Sequence, residues 1–219
     1  MKNIIFIAPP AAGKGTQSAI LEKKYNLPHI STGDILREES KKDSELGRYI
    51  SEVLSSGGLV KDEVTYELLK TRLSQDDCKN GYVLDGFPRN IEQAYKYDEI
   101  LNSLNQELGY VIQLDISEEI LEKRITGRRI CEDCGSVYNI NSDNEKPKQE
   151  SICDKCNGKL YQRNDDNITS FKNRYNLYIE KTKPLLDYYA KKDILYVING
   201  NDSVEEVSKR IDAVLKKGM

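Results

Sequence analysis

Lys14 lies in the segment Ala8-Pro9-Pro10-Ala11-Ala12-Gly13-Lys14-Gly15-Thr16, between the apolar run Ile4-Ile5-Phe6-Ile7 and a helix-forming stretch. A glycine-containing turn from strand to helix aims backbone N–H groups and the positive helix end at phosphate oxygens, and a lysine there adds a mobile cation. The segment therefore reads as a phosphate-binding loop for nucleoside phosphates. It departs from the usual pattern: Ala8 stands where glycine is usual, Gly15 directly follows the lysine, and Thr16 comes one place later. Taken alone, it also fits an ordinary strand–turn–helix with a solvated lysine.

A second constellation is Cys131-x-x-Cys134 with Cys153-x-x-Cys156. Two such knuckles supply four thiolates for a tetrahedral metal, and four protein ligands leave no open position, so the metal would be structural. In zinc-finger peptides the apparent binding free energy is about 10–16 kcal/mol, enough to order a lobe that lacks its own apolar core. Two disulfides are the alternative for these four cysteines. Cys78 stands apart and reads as a packed thiol, while the sole histidine, His29, borders a predicted strand and reads as structural.

These groups need a scaffold. Gln17 to Tyr25 reads as a helix with Ala19, Ile20 and Leu21 on its buried face. Short strands are expected at His29–Ser31, Tyr82–Leu84, Tyr110–Leu114 and Ile194–Ile198, separated by longer helical patterns. That alternation implies an α/β fold, a parallel sheet flanked by helices, with ligands beyond the carboxyl ends of the strands. Residues 31–60, helical and charged, and residues 127–166, rich in turn formers and cysteine, read as two lobes inserted into this core.

Composition narrows the class. A chain of 219 residues with 38% hydrophobic and 32% charged residues reads as one soluble main domain, and no apolar run approaches the roughly 20 residues of a membrane helix. A net charge of −3 argues against a general nucleic-acid binder. The amino end flows into the phosphate loop rather than a cleavage site, so a cytoplasmic location is expected.

The order of Gly13-Lys14-Gly15-Thr16-Gln17, Ser31-Thr32-Gly33-Asp34 with Arg37, Asp85-Gly86-Phe87-Pro88-Arg89 and Gly127-Arg128-Arg129 closely resembles adenylate kinase over nearly the whole chain. The cysteine-bearing insertion looks like the long-lid, zinc-containing bacterial form. The resemblance implies the P-loop nucleoside monophosphate kinase fold with two mobile lobes, acting as a monomer on ATP, AMP and ADP. The implied division is a core of residues 1–30, 61–126 and 167–219, an AMP-binding lobe 31–60 and a zinc-binding lid 127–166. The implied reaction is reversible transfer of a phosphoryl group, ATP + AMP giving two ADP, with Mg2+ carried by ATP and one structural Zn2+ on the cysteines. Such transfer needs two anionic substrates held in line and cations around the moving group, with no covalent protein intermediate.

By the same resemblance, Ala11, Ala12, Gly13, Lys14, Gly15 and Thr16 wrap the ATP phosphates, and Lys14, Arg89, Arg124, Arg128, Arg163 and Arg174 converge on the reacting phosphates. Val137 and Tyr138 match one wall of the ATP base site, and Gly200 with the backbone near Asp202 matches the other. Thr32, Arg37, Gly58, Leu59, Val60, Gly86, Phe87, Pro88, Arg89 and Gln93 correspond to the AMP site, with Arg163 and Arg174 near its phosphate. Planar guanidinium forks suit phosphate, and the Gln93 amide offers a donor and an acceptor to the adenine edge. Asp85 resembles the carboxylate that holds magnesium through water. Asp165 and Asp166 resemble carboxylates that orient the lid arginines, and the family suggests a cis Phe87–Pro88 bond.

Ala8 and Ala11 take positions commonly held by glycine in this family, where a Cβ is costly if the backbone needs positive φ. Two other readings stay open on sequence alone: a kinase for UMP or CMP, or an adenylate kinase that takes GTP as donor, and, in another class, a zinc-ribbon binding module fused to a nucleotide switch. Thr32, Gln93 and the long cysteine lobe favour AMP over UMP or CMP, and the lobe's acids argue against the binding module.

Overall fold

In the computed structural model, which describes residues 3–217, strand β1 (Asn3–Ile7) leads into α1 (Lys14–Tyr25), then β2 (His29–Ser31), α2 (Thr32–Glu39), α3 (Glu45–Ser55) and α4 (Asp62–Leu73). There follow β3 (Val83–Asp85), α5 (Ile91–Ser103), β4 (Leu108–Asp115), α6 (Glu118–Gly127), and the short strands β5 (Arg128–Cys131), β6 (Val137–Asn139) and β7 (Leu160–Tyr161). The chain closes with α7 (Ile168–Leu177), a π-helical turn at Tyr178–Thr182, α8 (Leu185–Ala190), β8 (Leu195–Asn199) and α9 (Val204–Lys217). Residues 1–2 and 218–219 of the expected core lie outside the described residues.

Five strands form one parallel sheet in the order β2-β3-β1-β4-β8. β1 is buried along its whole length, and alternation sends its side chains to opposite faces. Ile4 and Phe6 join the apolar cluster of Leu21, Leu121, Ile211 and Leu215, while Ile5 and Ile7 join Leu69, Leu73, Tyr97 and Leu185. Helices α1, α6 and α9 thus cover one face and α4, α5 and α8 the other, as the expected α/β fold requires. Cys78 lies wholly inside the second cluster, where burial pushes its thiol up to about 11, as suits a packed thiol.

The strands stand at or within one or two residues of their expected places. α1 differs: it begins at Lys14 rather than Gln17, because left-handed Gly13 turns the chain directly into the helix. A separate three-stranded antiparallel sheet, β6-β5-β7, makes the cysteine-bearing segment.

Candidate active site

The loop between β1 and α1 is shaped by two left-handed residues, Ala11 at φ 61° and Gly13 at φ 87°. Ala11 carries the strain anticipated for a Cβ here; Ala8 is not among the positive-φ residues. Gly13 stands at the N-cap of α1 and supplies no side-chain cap, so the first N–H groups of the helix are left for an anion to satisfy. Lys14 folds back over this loop, its Nζ donating to Ala8 O and Pro9 O at 3.0 Å each. Burial pushes its pKa below the ordinary lysine value; Asp85 opposes that, and Arg89, Arg174 and Arg128 add to it. Four cations therefore share one place, where Asp85 is the carboxylate that acts on Lys14.

The arginines arrive from separate elements. Arg89 follows β3 through Gly86, whose φ of 82° and closeness to Thr32 demand glycine: an added Cβ would lie 2.7 Å from Thr32 Oγ1. The Phe87–Pro88 bond is cis, and Arg89 Nε donates to Gly86 O at 2.7 Å. Arg128 opens β5 and holds buried Asp166 through both Nε and Nη2. Arg174, on α7, donates from Nη1 to Asp165 Oδ2 at 2.8 Å, so the two lid-base acids do orient arginines. Arg124 reaches Gly200 O at 3.2 Å, beside the expected ATP base wall. Arg163 meets Asp34 of α2 at 3.4 Å.

Burial lowers the pKa of Arg89, Arg124, Arg163 and Arg174. The Nε atoms of Arg163 and Arg174 are buried without a hydrogen-bond partner. Unpaired buried donors on cations are expensive, and an anion bound between them would satisfy both.

A narrow pocket beside Arg89 is lined by Thr32, Leu59, Val60, Gly86, Phe87 and Gln93, all expected at the AMP site, together with Leu36 and Thr65. Arg37 lies outside that lining, paired with Asp34 at 2.6 Å. Pro88 is buried beside the pocket, and the Gly58 segment is joined to α7 through Gly57, which faces Ser170 and Arg174. Gln93 is already engaged: Oε1 accepts from Arg89 N at 2.7 Å and Nε2 donates to Asp62 Oδ1 at 2.5 Å. Asp62 was not singled out in the sequence. An acid at the start of a helix reads as dipole complementarity, and nothing in the chain signals a partner on α5.

Asp85 ends β3 within electrostatic reach of Lys14 and Arg89, and its carboxylate enters no hydrogen bond or ion pair among the described residues. A free carboxylate oxygen beside a phosphate cradle fits a water-keeping Mg2+.

In the cysteine-bearing segment, Cys131, Cys134, Cys153 and Cys156 bring their sulfurs within 4.8 Å of one another. Sulfurs of Cys131 and Cys156 lie 3.4 Å apart and those of Cys134 and Cys153 3.6 Å apart. Thiolates at about 2.3 Å from a tetrahedral zinc stand about 3.8 Å apart, so the set fits that ion. All four thiols are free, and their sulfurs gather as one group of four, which favours a metal set over two disulfides. The Tyr138 hydroxyl lies 3.4 Å from Cys153 Sγ and draws that thiol's pKa down to about 6. Tyr138 therefore turns its side chain into the cysteine cluster, leaving only its backbone, with exposed Val137, to meet an ATP base. On the opposite wall, Gly200 packs on Ile116 so tightly that a Cβ would lie 2.6 Å away, and Asp202 pairs with Arg210 at 2.6 Å.

A parallel sheet with a phosphate loop after its first buried strand, and two insertions converging on it, defines a P-loop nucleoside monophosphate kinase. The chain matches the adenylate kinase family over residues 6–194. It is 48% identical to an adenylate kinase of Archaeoglobus fulgidus over 215 residues, 98% of each chain. It is 45% identical to those of Thermosipho africanus, over 98% of this chain and 100% of the relative, and Clostridioides difficile, over 98% and 99%. The chain belongs to the adenylate kinase family, and its four-cysteine cluster fits the long-lid type.

Proposed function

We infer that this chain interconverts ATP plus AMP and two ADP by direct phosphoryl transfer, in the service of adenine nucleotide balance. The observation that carries the reading is the set of mutually repelling cations Lys14, Arg89, Arg128 and Arg174, with unpartnered Nε atoms on Arg163 and Arg174. Asp165 and Asp166 offset only part of that repulsion, and polyphosphate filling the cluster would neutralise the rest. Residues 11–16 receive the ATP phosphates, and Lys14, held in the ligand-free protein by two loop carbonyls, exchanges them for phosphate oxygens. Arg89 and Arg37 hold the AMP phosphate, and Gln93 faces the adenine edge. Arg124, Arg128, Arg163 and Arg174 neutralise the equatorial oxygens as charge spreads over them.

Magnesium bound by ATP, steadied through water by Asp85, would supply further neutralisation between the phosphates. Zinc on the four cysteines is structural and takes no part in the chemistry. The divisions proposed are a core of residues 1–30, 61–126 and 167–219, an AMP lobe 31–60 and a lid 127–166. The Arg163–Asp34 pair bridges lid and AMP lobe, which suits a site that must exclude water as a competing acceptor. Five free cysteines accord with a reducing cytoplasm.

A coupled assay of ADP formation tests the reading, with AMP expected as the preferred acceptor and activity lost when Mg2+ is removed. Faster turnover of UMP or CMP would assign the chain to pyrimidine nucleotides instead.

A further inference from the structure

Gln93 is the one pocket side chain whose recognition chemistry depends on which way round it stands, because its amide carries a donor at one end and an acceptor at the other. Two neighbours of opposite character fix that choice. The Arg89 backbone N–H can only donate, and it points at Oε1 from 2.7 Å. The Asp62 carboxylate can only accept when ionised, and it receives Nε2 at 2.5 Å. Turning the amide over would set N–H against N–H and oxygen against oxygen, around a side chain only 3% exposed.

Asp62 is itself held. It is the first residue of α4, and its Oδ2 accepts from Tyr66 OH and from Asn90 Nδ2, each at 3.4 Å. Asn90 in turn caps α5 by accepting from Gln93 N at 2.7 Å. The carboxylate thus stands on one helix and the amide on the next, with Asn90 bonded to both residues.

What remains free on Gln93 is one N–H of Nε2 and one lone pair of Oε1. That pair complements a base edge carrying a ring acceptor beside an exocyclic amine, as in a 6-aminopurine. It opposes a 6-oxopurine, whose ring N–H and carbonyl oxygen reverse the pattern. We propose that Asp62 is a positioning residue that locks the Gln93 amide, and thereby sets acceptor discrimination between 6-amino and 6-oxo purine monophosphates. The inference rests on the assignment of Gln93 to the acceptor base.

The test compares kcat/KM for AMP and inosine monophosphate in the wild type, Asp62→Asn, Asp62→Ala and Gln93→Ala. The two acceptors differ only along the edge in question, and the ratio of their kcat/KM values does not depend on how much of a variant is folded. Loss of a charge-assisted hydrogen bond predicts that the ratio shifts toward inosine monophosphate by roughly tenfold or more in both Asp62 variants, chiefly through KM. A merely structural role would weaken both acceptors together and leave the ratio unmoved. If the Asp62 variants keep the wild-type ratio while Gln93→Ala loses it, the lock is wrong and the adenine-reading role of Gln93 stands. If Gln93→Ala keeps the ratio, or the wild type shows no preference, the assignment of Gln93 fails and the lock with it.

Discussion

The two segments inserted into the sheet are held together by different chemistry. Between β2 and α4 the chain builds its own apolar centre from Leu36, Ile50 and Val60, against which Tyr49, Val53, Leu54, Val64 and Leu68 pack. Both of its helices carry serine caps, Ser31 accepting from Asp34 N and Ser44 from Gly47 N. Between α6 and α7 the buried centre is Cys131, Tyr138, Cys153 and Leu160, so half of its members are metal-ligand candidates. Even with Ile130 of β5 added, so few buried apolar side chains cannot order three short strands. The first segment has hydrocarbon to remove from water and the second a set of thiolates to gather, and the proposed site draws arginines from both.

The comparison breaks at once if either insertion, rather than the core, carries the chemistry. Lys14→Met removes the core's own cation from the phosphate loop and is expected to lower turnover by at least on the order of 10²–10³. Because that cation is buried among others, the melting temperature of the ligand-free protein should not fall. Steady-state ADP formation and thermal denaturation check both halves. Near-wild-type turnover would remove Lys14 from the mechanism.

Stripping the metal separates the two insertions. A strong chelator, or Cys153→Ser, should abolish hydrogen-exchange protection across β5, β6 and β7 while leaving α2 and α3 protected. One zinc per chain should be released, as elemental analysis would measure. Simultaneous loss of protection in both would mean that they fold as one unit. The reciprocal change is Ile50→Ala, at a side chain with no exposed surface. A cavity there costs about 2–4 kcal/mol and should raise KM for AMP without changing zinc content.

The two insertions were also unequally legible. The cysteine spacing pointed strongly to a four-ligand set, with two disulfides as the alternative, because ligand number and knuckle geometry are local. The phosphate loop was less plain, since Ala8 and Gly15 depart from the usual pattern and only Gly13 and Lys14, acting through a turn of a few residues, marked it. Alternating strands exposed the sheet for the same reason: period two is a local pattern. What the sequence concealed was pairing over distance. Gln93 and Asp62 are separated by 31 residues and meet only because α4 and α5 pack on one sheet face. Tyr138 read as a base contact because its place in the chain says nothing of whether its ring turns to nucleotide or to sulfur. Ala11 could be flagged as strained, but that φ is positive there and not at Ala8 depends on how the loop closes over Lys14.

The smallest effect concerns neither insertion, and it sharpens the contrast by isolating the core. Asp212 on α9 accepts from Lys24 Nζ at 2.7 Å and Tyr25 OH at 2.5 Å, and Lys216 stands 3.1 Å away. The Lys24 hydrogen bond, then that of Tyr25, holds its carboxyl down to about 2, against 3.8 for the free group. A carboxylate whose folded pKa is depressed stabilises the native state fully above the unfolded value. That contribution declines as pH falls below 3.8 and is gone once pH has passed through about 2. Asp212→Asn keeps the shape, deletes the charge and leaves two lysines facing an amide. Its melting temperature should therefore lie below wild type at neutral pH, and the two curves should converge on acidification toward pH 2. KM for AMP and zinc content should not change, because the α1–α9 contact reaches neither insertion. A deficit that persisted undiminished at pH 2 would show that packing, not charge, is what Asp212 contributes.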